Sequence, residues 1–352
     1  MADQIFLKSP SKYENQSSAM SSSVFLPKIV LEIVTTLNFL ILGEVLGLLG
    51  IFGNIINILV FMRQGFKDNI NITLLAIAVS DIGSLMTLQM SNVMLNTWFM
   101  QLDIPIVQMD LVASVALYPH NYFVRVCGFI TAFASVERCL CVFAPLKVRL
   151  IITRKVSLFI VICFYAMVLL DLVPVYYMVY LDWKFFPETN SSKLAVHFRG
   201  NPSDVFSFIY FITDIFLPYT TFTTIVISNL ILASIMRRRA ENKTQLTNAI
   251  KSCRELFIKK DMKVIKMVLV ISALFITCLI PQSIINMAIG FKHELGYTLK
   301  YQDLMAVVYS IAYLAETVGS SVNFLVYYVM SSNFRNMFLT LGKFIPSPQR
   351  CR

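Results

Sequence analysis

Seven long apolar runs recur along this chain of 352 residues, and they limit the folds that it can adopt. Each run has at least the length of about 20 residues with which an α-helix crosses the hydrocarbon core of a bilayer. Because lipid offers no hydrogen bonds to a backbone, such a run must cross as a helix. We therefore predict an all-α membrane protein, a bundle of seven transmembrane helices at about 34–62, 72–97, 108–143, 156–181, 204–236, 264–291 and 303–330.

The composition supports this class and argues against others. Hydrophobic residues make up 57% of the chain, whereas soluble domains are about 45–50% apolar. The chain has no dinucleotide or P-loop glycine pattern and no HExxH sequence, and its three histidines are scattered. We therefore expect neither an enzyme nor a His-rich metal site. The net charge of +10 is better explained by membrane topology than by a nucleic-acid partner.

The distribution of Lys and Arg between the runs predicts the orientation. Two follow the first run, four the third, ten the fifth and four lie in the tail, which makes twenty on that side against eight on the other. Cytoplasmic segments carry the excess of positive charge, so we expect an extracellular N terminus. The glycosylation sequons at Asn15 and Asn190 are then accessible.

The ends of the bundle suggest three divisions of the chain. We expect an extracellular tail at 1–33, the seven-helix bundle at 34–330, and a cytoplasmic segment at 331–352. The last segment begins with apolar residues at helical spacing beside polar ones, which predicts a short amphipathic helix on the membrane lipids. None of the seven cysteines falls in a predicted extracellular segment, so no disulfide framework is expected there.

Charged residues inside the third run are hard to explain by packing, because charge in hydrocarbon is costly and tends to be kept for function. Glu137 and Arg138 end this run at its predicted cytoplasmic mouth. They are either part of a cytoplasmic coupling site or an interfacial ion pair that closes the helix. His120 and Arg125 lie in the other half of the run, and Arg125 is expected to meet Asp171, Asp214, Glu316 or an anionic ligand group. Together with Asn121 and Gln282, the group His120, Arg125, Asp214 and Glu316 forms our candidate ligand-binding set.

Asp81 is an isolated carboxylate in the second run, and its expected partners are Asn54, Cys127, Ser320 and Asn323. A buried acid among amides and hydroxyls could hold a sodium ion, take up a proton, or remain neutral in a packing network. No other cofactor is expected. Pro119, Pro174, Pro218 and Pro281 lie in or near the runs and predict kinks. Pro281 is a candidate hinge beside the basic third loop, or it merely bends its helix.

These residues together resemble the rhodopsin-like (class A) family of G-protein-coupled receptors over about residues 40–340. The resemblance rests on Gly53-Asn54, Leu75 to Asp81, Glu137-Arg138-Cys139, Pro145-Leu146, Pro218, Phe275 with Cys278 and Pro281, Asn323 to Tyr327, and Phe334-Arg335. It implies an extracellular ligand, a heterotrimeric G protein as partner, coupling through Glu137, Arg138, Pro145, Leu146, Tyr327 and Lys263, and an activation core of Asn54, Asp81, Phe275, Pro281 and Asn323. The Glu-Arg-Cys-Leu-Cys run looks more narrowly like invertebrate, mollusc-type chemosensory receptors, and FMRFamide-like peptide receptors look similar.

The chain departs from the family pattern in several places. Residues 110–114 and 182–203 both lack the cysteine that the family usually bonds across the outer surface, so the outer loop is expected to be less restrained. Leu279 stands where the sixth run usually has Trp, Phe324 replaces the proline of the seventh, and Val226 replaces a Tyr of the fifth. Activation is therefore expected to differ in detail.

Other seven-helix classes fit less well. An opsin needs a lysine in the seventh run for its Schiff base, and 303–330 contains none. An inverted ligand-gated odorant channel would place the N terminus inside, which the charge distribution opposes. A secondary transporter is expected to show inverted repeats, and no such symmetry is visible.

Overall fold

A computed structural model describes residues 28–66, 69–96, 99, 102–187, 190–199, 207–242, 253–292, 295 and 301–343. Seven helices within these ranges are long and apolar enough to cross a membrane. The predicted seven-helix bundle is thereby confirmed. We refer to these helices as the first to the seventh span, in chain order.

The first span comprises Lys28–Thr36, a π-helical segment Leu37–Gly43 and Glu44–Gln64. The second is Asn69–Met94, and the third comprises Gln108–Val112, a π-helical segment Ala113–Leu117 and Tyr118–Phe143. A connecting helix, Pro145–Ile151, leads to the fourth span, Arg154–Met178. The fifth contains a π-helical segment Phe211–Phe216 and Leu217–Asn242, the sixth is Cys253–Phe291, and the seventh is Gln302–Met330. A surface helix, Ser332–Lys343, follows.

Two helices begin six or more residues earlier than their apolar runs predict. The first begins at Lys28 rather than at 34, and the sixth begins at Cys253 rather than at 264. A helix need not stop where its membrane-crossing portion stops, and polar or basic residues continue it into the surrounding solvent without loss of backbone bonds. The hydrophobicity of a run therefore defines its passage through the membrane better than it defines the helix.

The π-helical segment of the third span lies directly before a proline. Pro119 has no N–H, so it cannot donate to the carbonyl of Ser114, its π-helical partner five residues earlier. The hydroxyl of Tyr176, in the fourth span, donates to that carbonyl at 2.7 Å. The fifth span has the same order, with Phe211–Phe216 just ahead of Pro218. In these two spans the irregular backbone is thus tied to a proline, and a neighbouring span satisfies the freed carbonyl in the third. The π-helical segment of the first span has no such proline.

The second span lies at the centre of the bundle and packs against the first, third, fourth and seventh. Its buried face, including Leu74 and Ile77, meets Ile130 of the third span and Tyr327 of the seventh. The fourth span, by contrast, has most of its apolar side chains exposed at the molecular surface, where lipid would surround them. The core therefore forms around the second span rather than uniformly through the bundle.

Close approach of the first and seventh spans requires a glycine. A Cβ added at Gly50 would lie 2.7 Å from the Cβ of Ser321 and 2.1 Å from its hydroxyl oxygen. That hydroxyl is already engaged, because it donates to the carbonyl of Leu46 at 3.0 Å. Small residues allow helix backbones to approach in membranes, and here the approach leaves no space for a side chain.

The connection between the fourth and fifth spans is a β-hairpin, whereas we expected a plain loop. Strands β1 (Val179–Phe186) and β2 (Ser191–Phe198) pair antiparallel, with Trp183 opposite Leu194. Asn190 lies at the turn with a φ of 45°, a left-handed conformation that Asn tolerates better than most residues. We call the end of the bundle that carries these strands the hairpin end, and the opposite one the Arg138 end.

The surface helix packs against the Arg138 end through one aromatic side chain. Phe334 is buried between Phe61 and Tyr327, with ring centroids 5.6 Å from each. Arg335 and Leu339 are exposed on other faces of this helix. The amphipathic pattern is consistent with a helix that lies on a membrane surface.

We expect Gly50→Val to destabilise the bundle by about 1–3 kcal/mol, because the new side chain overlaps Ser321 in a packed contact. The measurement is the thermal unfolding midpoint of the purified protein in detergent. Leu49→Val is the matched control, since Leu49 is exposed on the same helix. An unchanged midpoint for Gly50→Val would show that the first and seventh spans do not approach as described.

Candidate functional site

A cavity of about 560 Å³ opens between the third, fifth, sixth and seventh spans at the hairpin end. Five of the six predicted ligand-binding residues line it: Asn121, Arg125, Asp214, Gln282 and Glu316. Aromatic side chains of the third, fifth and sixth spans, Phe129, Phe222 and Phe275, supply apolar walls. Apolar walls with a few polar groups that converge are the usual lining of a small-molecule site.

Arg125 and Asp214 form an ion pair across this cavity. One guanidinium nitrogen donates to Asp214 Oδ1 at 3.2 Å, and Asp214 Oδ2 accepts a hydrogen bond from Thr213 at 2.8 Å. Of the three acids that the sequence left open as partners, Asp214 is thus the one in contact. The single long contact leaves other guanidinium N–H groups available to an acceptor on a ligand.

His120, the sixth predicted ligand-binding residue, is buried and points between the second and seventh spans. Its Nε2 is 2.8 Å from Glu316 Oε2, and its Nδ1 lies 3.2 Å from the Ser84 hydroxyl. Only Glu316 of this pair lines the cavity. His120 is therefore outside the cavity wall, although it contacts a residue of that wall and holds its carboxylate, and its role in ligand binding stays a prediction.

Gln282 presents an acceptor to the cavity. Its amide nitrogen donates to Asn286 Oδ1 at 2.9 Å, which fixes the orientation of the amide group. Its Oε1 is buried and has no hydrogen-bond partner within the described ranges. A buried acceptor without a partner costs about 1–3 kcal/mol, so a ligand that donates here gains that energy.

A second cavity, of about 440 Å³, surrounds Asp81 deeper in the bundle. Asn323 donates to Asp81 Oδ2 at 2.7 Å, and the Cys127 thiol lies 3.6 Å from Oδ1. Asn54 takes part indirectly, since its amide donates to the carbonyl of Ser320 at 2.8 Å. Val124, Phe275, Leu279 and Glu316 line both cavities, so the two adjoin.

The Arg138 end is closed. Arg138 donates to Glu137 Oε1 at 2.8 Å, and the Glu137 side chain is almost fully buried. An apolar cluster of Cys139, Leu232 and Ile265 joins the third, fifth and sixth spans beside this pair. Tyr327 is fully buried against Phe61, and its hydroxyl has no partner in the described part of the chain.

The remaining predicted coupling residues are at the same end. Pro145 and Leu146 begin the connecting helix, and Lys263 is exposed near the start of the membrane-crossing part of the sixth span. Of the predicted glycosylation sites, Asn190 is exposed at the hairpin turn, and Asn15 lies outside the described residues. Pro281 lies inside the sixth helix, as expected of a bend.

Residues 53–327 match the family described as the 7 transmembrane receptor (rhodopsin family). The chain belongs to this family. It is therefore a multi-pass membrane receptor of the class that binds extracellular ligands and acts through G proteins. No curated protein sequence matches the chain.

The receptor holds its hairpin against the bundle without a disulfide. Asp110, in the first turn of the third span, accepts a hydrogen bond from the backbone N–H of Val196 at 2.7 Å. Leu194 exchanges backbone hydrogen bonds with Pro105 and Val107, so the loop before the third span pairs with β2. We expected a less restrained outer loop, and these bonds were not predicted. The sequence did contain a sign of the bond to Val196, because Asp110 is an acid at the mouth of an apolar run.

We expect Asp110→Ala to lower stability by about 1.5–3 kcal/mol, because the N–H of Val196 loses a charged acceptor. Hydrogen exchange of the β2 segment is the specific measurement, and protection there is expected to fall. Asp110→Asn, which keeps an acceptor oxygen, should retain most of the protection. Asp103→Ala is the control, since Asp103 pairs with Lys193 but is almost wholly exposed, and surface pairs contribute little. Unchanged exchange in Asp110→Ala would contradict the anchoring role.

Proposed function

We propose that this receptor is chemosensory: it binds a small polar molecule from outside the cell and activates a heterotrimeric G protein. The observation that carries the proposal is the lining of the cavity: an ion pair lies in its wall, and Gln282 Oε1 has no hydrogen-bond partner among the described residues. An apolar pocket with a few polar groups that converge is the usual form of a small-molecule site. We place the N terminus and the hairpin end outside, as the excess of basic residues at the other end supports.

The proposed mechanism is a shift between two arrangements of the bundle. A ligand changes their populations only by the difference in its affinity for them. In the arrangement described here, the Glu137–Arg138 pair and the apolar cluster close the Arg138 end. Ligand binding favours an arrangement in which the sixth span moves outward about Pro281, Arg138 leaves Glu137, and a helix of the G protein enters the opened groove.

A second candidate function is a receptor for FMRFamide-like neuropeptides. One observation favours it: Leu181, Trp183 and Phe185, alternate residues of β1, expose 56%, 61% and 57% of their surface at the hairpin end. Alternate residues of a strand lie on one face, so the three form an apolar stripe beside the cavity mouth. Such a stripe suits the side chains of a peptide whose terminus enters the cavity.

Calcium release in cells that express the receptor with a promiscuous G protein tests the two candidates. Tissue and environmental extracts are applied before and after protease treatment. Activity that survives the protease supports a small-molecule ligand, whereas activity that the protease destroys supports the neuropeptide.

In either case we expect Arg125→Gln to lower the potency of the active fraction about tenfold or more, because one charge-assisted contact is lost. Arg199→Gln, whose guanidinium stacks on Tyr177 and Tyr180 outside the cavity, is the control. Equal potency of Arg125→Gln and wild type would overturn the assignment of the cavity.

Coupling is tested separately. We expect Arg138→Ala to abolish nucleotide exchange on the G protein while surface expression persists, because the charged group that meets the G protein is gone. Surface staining of an N-terminal epitope on intact cells measures expression and, at the same time, the proposed orientation. Lys263→Ala is a milder variant, since an exposed lysine contributes through steering more than through contact. Normal exchange by Arg138→Ala would refute this role.

A further inference from the structure

A second group of polar side chains lies between the first and second spans, away from both cavities. Gln89 donates through its amide nitrogen to the backbone carbonyl of Gly43 at 2.9 Å and lies 3.4 Å from that of Glu44. Asn92, one turn further along the second span, hydrogen-bonds the Glu44 carboxylate. Both amides therefore meet the same turn of the first span, from which Glu44 projects.

Glycines make room for this arrangement. A Cβ at Gly47 would overlap the amide group of Gln89, and one at Gly43 would lie 3.0 Å from the Asn92 amide nitrogen. The side chains of Gln89 and Asn92 thus occupy a groove that exists because the first span has no side chains there. The groove holds polar groups in the apolar interior of a bundle, where they are costly unless they are matched.

Three oxygen atoms of this group are buried and unmatched. Glu44 Oε1, Gln89 Oε1 and Asn92 Oδ1 have no hydrogen-bond partner among the residues that the structure describes. The two amide side chains are themselves more than nine-tenths buried. The donor contacts of both amides direct their nitrogens to the first span, so their oxygens remain as acceptors. All three unmatched atoms are acceptors, and one belongs to a carboxylate.

We propose that Glu44, Gln89 and Asn92 bind a sodium ion. Carboxylate and amide oxygens are the ligands of hard cations, whereas soft or imidazole ligands select transition metals. The donor set contains no His or Cys, the side chains that transition metals prefer. A bound ion balances the charge of the Glu44 carboxylate, which is costly in the membrane. This site is separate from the cavity around Asp81 and does not depend on the proposed ligand or G-protein coupling.

Equilibrium binding of radioactive sodium to the purified full-length receptor tests the site. Asp81→Asn is the background, because it removes the carboxylate of the other candidate sodium cavity. In this background we expect saturable sodium binding, which falls to the non-specific level when Glu44→Gln is added. Glu32→Gln is the matched control, since Glu32 is an exposed acid on the same span and should leave binding unchanged.

A thermal shift on exchange of N-methylglucamine for sodium chloride at constant ionic strength gives an independent measure. A bound ion raises the unfolding midpoint by mass action, and Glu44→Gln should lose that increase. If Glu44→Gln does not fold, Gln89→Met removes one ligand at similar volume and should weaken sodium binding about tenfold. The proposal is overturned if the folded Asp81→Asn receptor binds no sodium saturably, or if Glu44→Gln and Gln89→Met bind sodium as tightly as the background. It is also overturned if the unfolding midpoint changes with pH in sodium-free buffer and does not respond to sodium.

Discussion

The hydrogen bond from Asn323 to Asp81, 2.7 Å long, is the interaction on which the arrangement of the bundle most depends. A carboxylate in the membrane interior must be matched by polar partners or by an ion, and its partners come from different spans. Asn323 brings in the seventh span, and Cys127 brings in the third. Asn54 joins the first span to the same group through the carbonyl of Ser320. The polar centre therefore joins four helices, and the buried contact between His120 and Glu316 adds a second polar link between the third and seventh spans.

This polar centre is separated from the outer cavity by few side chains. Phe275 and Leu279 of the sixth span lie between them, and Glu316 lines both spaces. Leu279 is smaller than the Trp that the family pattern places there, so Phe275 supplies the aromatic ring of the sixth span between the two cavities. In a medium of low dielectric, a charge near Glu316 acts strongly on groups several ångströms away. The carboxylate of Glu316 therefore couples the two spaces electrostatically as well as through the packing of Phe275.

The sequence predicted some features of the fold and site and missed others, depending on the kind of pattern that encodes them. The spans followed from the length of the apolar runs, and Asp81, Cys127 and Asn323 met as expected because spacing along regular helices places them at one depth. The hairpin was missed, although Leu181-Asp182-Trp183-Lys184-Phe185 alternates as a strand does. His120 lies outside the cavity wall for another reason. Five residues separate it from Arg125 in one regular helix, and at about 100° per residue the two side chains lie on different faces. The spacing does not show which of three acids Arg125 will meet.

The way the hairpin is held changes what its opening costs. A disulfide would persist through any rearrangement of the outer surface. Here β2 is joined to the third span and the segment before it by the bond from Val196 to Asp110, the backbone bonds at Leu194 and the exposed Lys193–Asp103 pair. Each hydrogen bond contributes about 0.5–1.5 kcal/mol net, and somewhat more when the acceptor is charged, whereas exposed ion pairs contribute little. Breaking these bonds lies within the energies of local unfolding, which range from near zero to the global stability. Opening of the hairpin is then a matter of a conformational equilibrium, which any ligand that binds the open form can shift by its own binding energy, rather than of a covalent constraint.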